Sequence, residues 1–292
     1  MTRTILCAII VLLVSLKCYP QKTVEELAST SPKKFFKDVF YDTSLGNDLV
    51  KLLNKKRIRF GDLPNLKKVG LLSVYIRDDA FRRGRKGGII YDQGYKENVL
   101  AAGILDASYN SIAEILGKLG MELLTPAEYL TDEDKEGLYR NFEFNYTSIP
   151  EAKKFGDFFT RNEGVYATPN NYEMIYAAYQ GGNPEIIINS VGSLCSQFNL
   201  DAFLTIEIQT RTTSKSVILE SITVVMHGRH PVLADEGMLL ATGKYAPSSM
   251  VPFAEIEEDQ INRSRFDGFD TILTRLVSGL AEIVLGEIES IE

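Results

Sequence analysis

The segment that most restricts the fold of this chain is "LKKVGLLSVYIRDD" followed, after a loop, by "NVLAAGILDASYNSIAEILGKLGMELLTPAEYL". Val69, Leu71, Leu72, Val74 and Ile76 crowd one short run and read as a buried strand. Leu105, Tyr109, Ile112, Leu116 and Leu119 recur at three- and four-residue intervals, which places them on one helical face. Gly120 stands where a left-handed helix cap is wanted, and "MELL" begins a second strand that Pro126 limits. A crossover of this length joins parallel strands, because a tight turn cannot.

The same alternation returns downstream. Asn183 and Pro184 open a helix expected to run to about Phe198. Phe203, Thr205, Glu207 and Gln209 then alternate with Leu204, Ile206 and Ile208, the period of a strand. A polar turn at Thr212–Ser216 leads into "SKSVILESITVVMHG", so the two strands read as an antiparallel hairpin. "GMLLATGKYAP" is a third strand. A closing helix is expected from about Glu258 to Ser290, with Phe269, Leu273, Leu276, Leu280, Ile283 and Ile288 on its apolar stripe. The expected fold class is therefore α/β: a mixed sheet with helices packed on it in two or three layers. Residues 21–66 read as a helical lead-in and 67–292 as one domain. An irregular, aromatic-rich insertion at about 131–182 interrupts it, with its rings expected against the main sheet.

Residues 1–20 bear on address. Arg3 precedes an apolar run, Ile5–Leu16, that spans only ~18 Å as a helix, short of the bilayer's ~30 Å core. That matches a secretory signal peptide, and export to the periplasm, the outer membrane or the exterior is expected. Cys18 follows Leu13, Val14 and Ser15 as a lipid-accepting position would, with Lys17 in place of the usual small residue. Membrane association would come from that lipid or from an uncleaved leader. Without the leader, 30 basic residues face 39 acidic ones, a net −9, which disfavours holding nucleic acid by bulk charge. Cys195 is then the one thiol outside the leader, so no internal disulfide is expected, and its apolar surroundings mark it as structural.

"FRRGRKGG" is the strongest local charge signal. Its Arg82, Arg83, Arg85 and Lys86 lack the Gly-Lys-Ser/Thr tail of a phosphate-binding loop. Glycines among them suit a turn, so a solvated loop is expected, with electrostatic contact to an anionic partner as the alternative role of these four residues. Asp92 and Lys96 offer weaker contacts in the polar loop that follows. The two histidines, His227 and His230, lie near Asp235 and Glu236. Their spacing crosses a strand end and a turn, so ordinary exposed loop histidines are expected rather than a metal centre. No nucleophile elbow and no placed carboxylate pair is present, and no cofactor is implied.

The layout resembles the periplasmic α/β domain of the curli-secretion channel lipoproteins, the penicillin-binding-protein activator lipoproteins and the amino-terminal domain of the Tol translocation proteins. The matching pieces are "KKVGLLSVYI", "SIAEILGKLGMELLTPAEYL", "FNLDAFLTIEIQT", "ESITVVMHG" and the helix after "GKYAP". The insertion stands outside that pattern. With no catalytic motif beside it, the expected function is that of an exported, non-enzymatic protein that binds an envelope protein or an anionic envelope polymer, in envelope assembly or secretion. The alternative is an exported hydrolase with a site near His227–Glu236.

Overall fold

The computed structural model describes residues 21–78, 99–143, 165–169, 171–175, 184–233, 236–257 and 260–292. In chain order the elements are α1 (Val24–Ala28), α2 (Pro32–Phe35), β1 (Val39–Asp42), α3 (Leu45–Asn54), β2 (Lys68–Asp78), α4 (Val99–Lys118), β3 (Glu122–Leu124), α5 (Pro126–Tyr129) and α6 (Glu133–Arg140). There follow β4 (Val165–Ala167), α7 (Pro184–Gln197), β5 (Ala202–Thr212), β6 (Ser216–Arg229), β7 (Gly237–Tyr245), β8 (Val251–Glu257), β9 (Gln260–Ser264) and α8 (Phe269–Glu289).

The strands form one mixed sheet in the order β1-β7-β6-β5-β2-β3. β2 is parallel to both β3 and β5, as the long crossovers require, and β5, β6 and β7 are antiparallel neighbours. β4 pairs with the far end of β2, and β8 continues the sheet beside the start of β6, with β9 on its outer edge.

Both faces are covered, by different helices. On one face α8 and α4 lie over the sheet, with α1 and α3 beside them. Their buried faces include Leu273, Leu276 and Leu280 of α8 and Ile104, Ile112 and Leu116 of α4. The α4 stripe is turned by about one residue from expectation: Ile104 and Ser108 are buried, while Leu105, Tyr109 and Leu119 pack at its margin. Gly120 closes α4 at φ +81°, and the Met121 amide donates to the Leu116 carbonyl, the reversed turn expected there. On the other face α5, α6 and α7 enclose a second core of Leu72, Tyr129, Tyr139, Val191, Phe198 and Phe203. A bulge between Leu71 and Ser73 lets β2 serve both cores, sending Leu71 and Val74 one way and Leu72 the other.

Two expectations are corrected. The lead-in is not purely helical: Val39–Asp42 forms an edge strand antiparallel to β7. Alternation decides it, since Val39 and Tyr41 turn toward the helices, and the Tyr41 hydroxyl donates to the Leu276 carbonyl at 3.1 Å. The closing helix begins at Phe269, eleven residues later than expected from Glu258. The sequence before it buries Val251 and Phe253 in alternation and, past an irregularity at Glu255, Ile256, and pairing with β6 and β9 claims it for the sheet. Gly268, at φ +95°, makes the break.

Candidate functional site

α6 and α7 stand side by side on the second face without closing against each other. α6 begins at Asp132, whose carboxylate accepts from the Lys135 amide at 2.9 Å. Acids in its first turn suit the positive end of the helix. The element is then tied to the sheet through Tyr139, whose hydroxyl donates to the Leu72 carbonyl at 2.7 Å and accepts from the Glu173 amide at 3.0 Å. The buried Tyr129 hydroxyl makes a parallel tie to the Leu71 carbonyl at 3.3 Å. Burial pushes both phenols well above their ordinary pKa, so they serve as fixed neutral donors.

α7 is seated by glycine. A Cβ on Gly192 would stand 2.0 Å from the Gly237 Cα, and one on Gly237 would stand 2.1 Å from the Ile188 carbonyl oxygen. Only two hydrogens at this crossing allow the helix to lie directly on β7.

Between the two helices runs an open groove of about 810 Å³. Glu133, Asp134 and Glu143 supply carboxylates on the α6 side, and Asn189, Ser193 and Gln197 supply amide and hydroxyl groups from α7. Leu194, Leu138 and Phe142 give it an apolar floor and lip. Ser190 bridges the walls by donating its hydroxyl to a Glu143 carboxylate oxygen. No Lys or Arg is among the described residues of the lining. A groove with this mixture favours a cationic group seated beside an apolar one.

A second polar feature lies deeper. Tyr75 and Arg77 on β2 and Glu207 on β5 share the sheet face that carries Phe203, near the carboxyl ends of two parallel strands. The Tyr75 hydroxyl donates to Glu207 Oε2 at 2.6 Å, and an Arg77 guanidinium nitrogen lies 3.5 Å from Glu207 Oε1. All three are buried. The alternation in "FLTIEIQT" marks Glu207 as facing away from Leu204 and Ile206, but nothing local shows that this face is covered.

Most of the residues singled out from sequence fall beyond the described part of the chain. Arg82, Arg83, Arg85 and Lys86 lie outside the described residues, as do Asp92, Lys96, Asp235 and the whole of the leader. His227 corrects an expectation: it is no exposed loop residue but sits within β6, between Phe203 and Leu239, and is 1 % exposed. Desolvation lowers its pKa to about 4, so it is neutral at ordinary pH. His230 does lie in the turn, where its Nδ1 accepts from the Val232 and Leu233 amides at 3.1 Å. Among the described residues no group of three His, Cys, Asp or Glu side chains is placed to hold a metal ion. Cys195 is buried in the second core, and burial raises its thiol pKa, as for a structural thiol.

The groove had no signal in sequence beyond the acid-rich "TDEDKEG", since its second wall is contributed by α7, some fifty residues on. Comparison with protein-family models, with curated proteins and with solved structures finds no match for this chain.

Proposed function

We propose that this chain is an exported, non-enzymatic envelope protein that binds another envelope protein, and that the groove between α6 and α7 receives it. The observation that carries the reading is the groove itself: an open, carboxylate-lined channel with an apolar floor, held by two helices each fixed to the sheet. Its charge suits a Lys or Arg side chain of the partner, with a neighbouring apolar residue against Phe142 and Leu194. Export rests on Arg3 and the Ile5–Leu16 run.

A hydrolase built near His227–Glu236 is less well supported. His227 is buried and neutral, and both ring-facing amides of the turn already occupy His230 Nδ1. An anionic polymer as partner would need the Arg82–Lys86 segment, since the carboxylates of the groove carry the same sign as such a polymer and repel it.

Fractionation and capture test the reading together. The tagged full chain is expected in the envelope fraction, co-purifying with a partner that the double variant Glu133→Lys/Asp134→Lys loses. Both residues are exposed, and their reversal at the start of α6 should cost only about 1–2 kcal/mol, so the variant should still fold. A cytosolic full-length chain would overturn export. Unchanged capture by the folded double variant would overturn the groove.

A further inference from the structure

The edge of the sheet opposite β3 carries an unusual surface. Phe40 on β1 is 67 % exposed and Phe36, just before it, 43 %. Lys33, Lys34 and Lys37 of the same segment are all exposed, and so is Lys244, the cross-strand partner of Phe40. Of the nearby acids, Asp38 accepts from the Ser248 hydroxyl at 3.4 Å and Glu26 belongs to the capping box of α1, while Asp42 is exposed two residues beyond Phe40 on the same face, leaving four lysines against one open carboxylate. Two large rings left in water beside four ammonium groups are costly for a surface that meets only solvent.

The point where the chain enters the described fold lies on the same border. The Lys22 amide donates to the Met250 carbonyl at 3.0 Å, and Gln21 bridges to Met250. The Ala246 amide donates to the Asp38 carbonyl at 3.0 Å. The short connector Ala246–Met250 therefore touches the Lys/Phe segment at one end and the entry point at the other. Residues 17–20 separate Gln21 from the apolar run that ends at Leu16, a reach of at most about 18 Å.

We infer that Lys33, Lys34, Phe36, Lys37 and Phe40 form a membrane-facing surface whose occupant is an anionic lipid bilayer. Exposed aromatic rings settle at the headgroup level, and lysines nearby gain from the negative surface potential. Phe40 and Lys244 point to the sheet face that carries α7, opposite Val39 and Tyr41, so the bilayer would meet the β1 end of that face, while the α6–α7 groove lies beyond α7 on the β2 side, where Tyr139 is tied to Leu72. This surface is independent of the groove, and its failure would leave the groove reading intact.

The chain contains no tryptophan, so a single introduced one reports its own surroundings. Phe36→Trp, Phe40→Trp and, as control, Leu138→Trp are compared in the full chain reconstituted with vesicles. Leu138 is 42 % exposed and stands beside the carboxylates of the groove, a setting that an anionic bilayer repels. Vesicles of equimolar phosphatidylcholine and phosphatidylglycerol are set against phosphatidylcholine alone. The expected result is a blue shift at positions 36 and 40, with quenching by brominated acyl chains, in the anionic vesicles and not at position 138. The shift should be lost when Lys33, Lys34 and Lys37 are changed together to Glu. Emission at position 40 that reports water in anionic vesicles would overturn the inference. So would an equal shift at position 138, an equal shift in neutral vesicles, or a shift that survives the triple change.

Discussion

Arg77 and Glu207 form an ion pair across the parallel β2–β5 junction, 3.5 Å apart, with side-chain exposures of 1 % and 7 %. Tyr75 completes it from the neighbouring register position. Removing charges from water is costly, and this geometry offsets that cost only while both partners remain.

Arg77→Met should therefore lower the unfolding free energy by about 3–5 kcal/mol, because it strands a buried carboxylate. Replacing both, as Arg77→Met/Glu207→Leu, should recover most of the loss. Urea unfolding of the single and double variants checks this. A single variant within about 1 kcal/mol of the parent would mean that the pair is better hydrated than its burial indicates.

The crossing of α7 on β7 gives a contrast between two glycines. Gly192→Ala would drive a methyl group to within 2.0 Å of the Gly237 Cα, so the helix must lift. The expected cost is about 1–3 kcal/mol, seen as a lower melting temperature. Gly117→Ala, in α4 with no atom within 4 Å of the added carbon, should instead gain about 0.5–1 kcal/mol. Equal effects at the two sites would contradict the close approach.

His227 makes stability depend on pH in a stated direction. Its folded pKa, about 4, lies below the ordinary 6.5 that it regains on unfolding. Between these values the unfolded chain binds a proton that the folded chain does not, so stability is present above about 6.5 and is lost as pH falls toward 4. The gap corresponds to roughly 3 kcal/mol. His227→Leu should remove that share of the acid loss while changing stability little at pH 7.5, since among the described residues Nδ1 has no partner to lose. Chemical denaturation of both forms across this range measures the difference; parallel curves would contradict it.

The strand–helix–strand order was legible because Val69–Ile76 and Phe203–Ile208 are short apolar-rich runs and Ile112–Leu116 keeps helical spacing, although both strands prove buried on both faces and β2 carries a bulge. Residues whose state is set by distant partners were not. Val39–Asp42 becomes a strand only because β7 is there to pair with it, and Phe35 stacks on Tyr245 beside it, centroids 4.6 Å apart. Val251–Glu257 and Gln260–Ser264 become strands for the same reason, through β6 and β8. His227 was misplaced because burial on the α7 side depends on a helix thirty residues earlier, and the groove because its walls come from separate segments.

The groove is tested most directly by a photoreactive amino acid at Leu138, which lines it and is 42 % exposed. The control is Phe60, exposed on the segment between Ile58 and Leu63, which pack into the other core. Irradiation in the native envelope should join position 138 to one protein partner and leave position 60 without that adduct. The adduct should weaken with added salt and disappear in the Glu133→Lys/Asp134→Lys background. The same adduct from both positions, or one at 138 that the charge reversal leaves unchanged, would contradict a partner seated between α6 and α7.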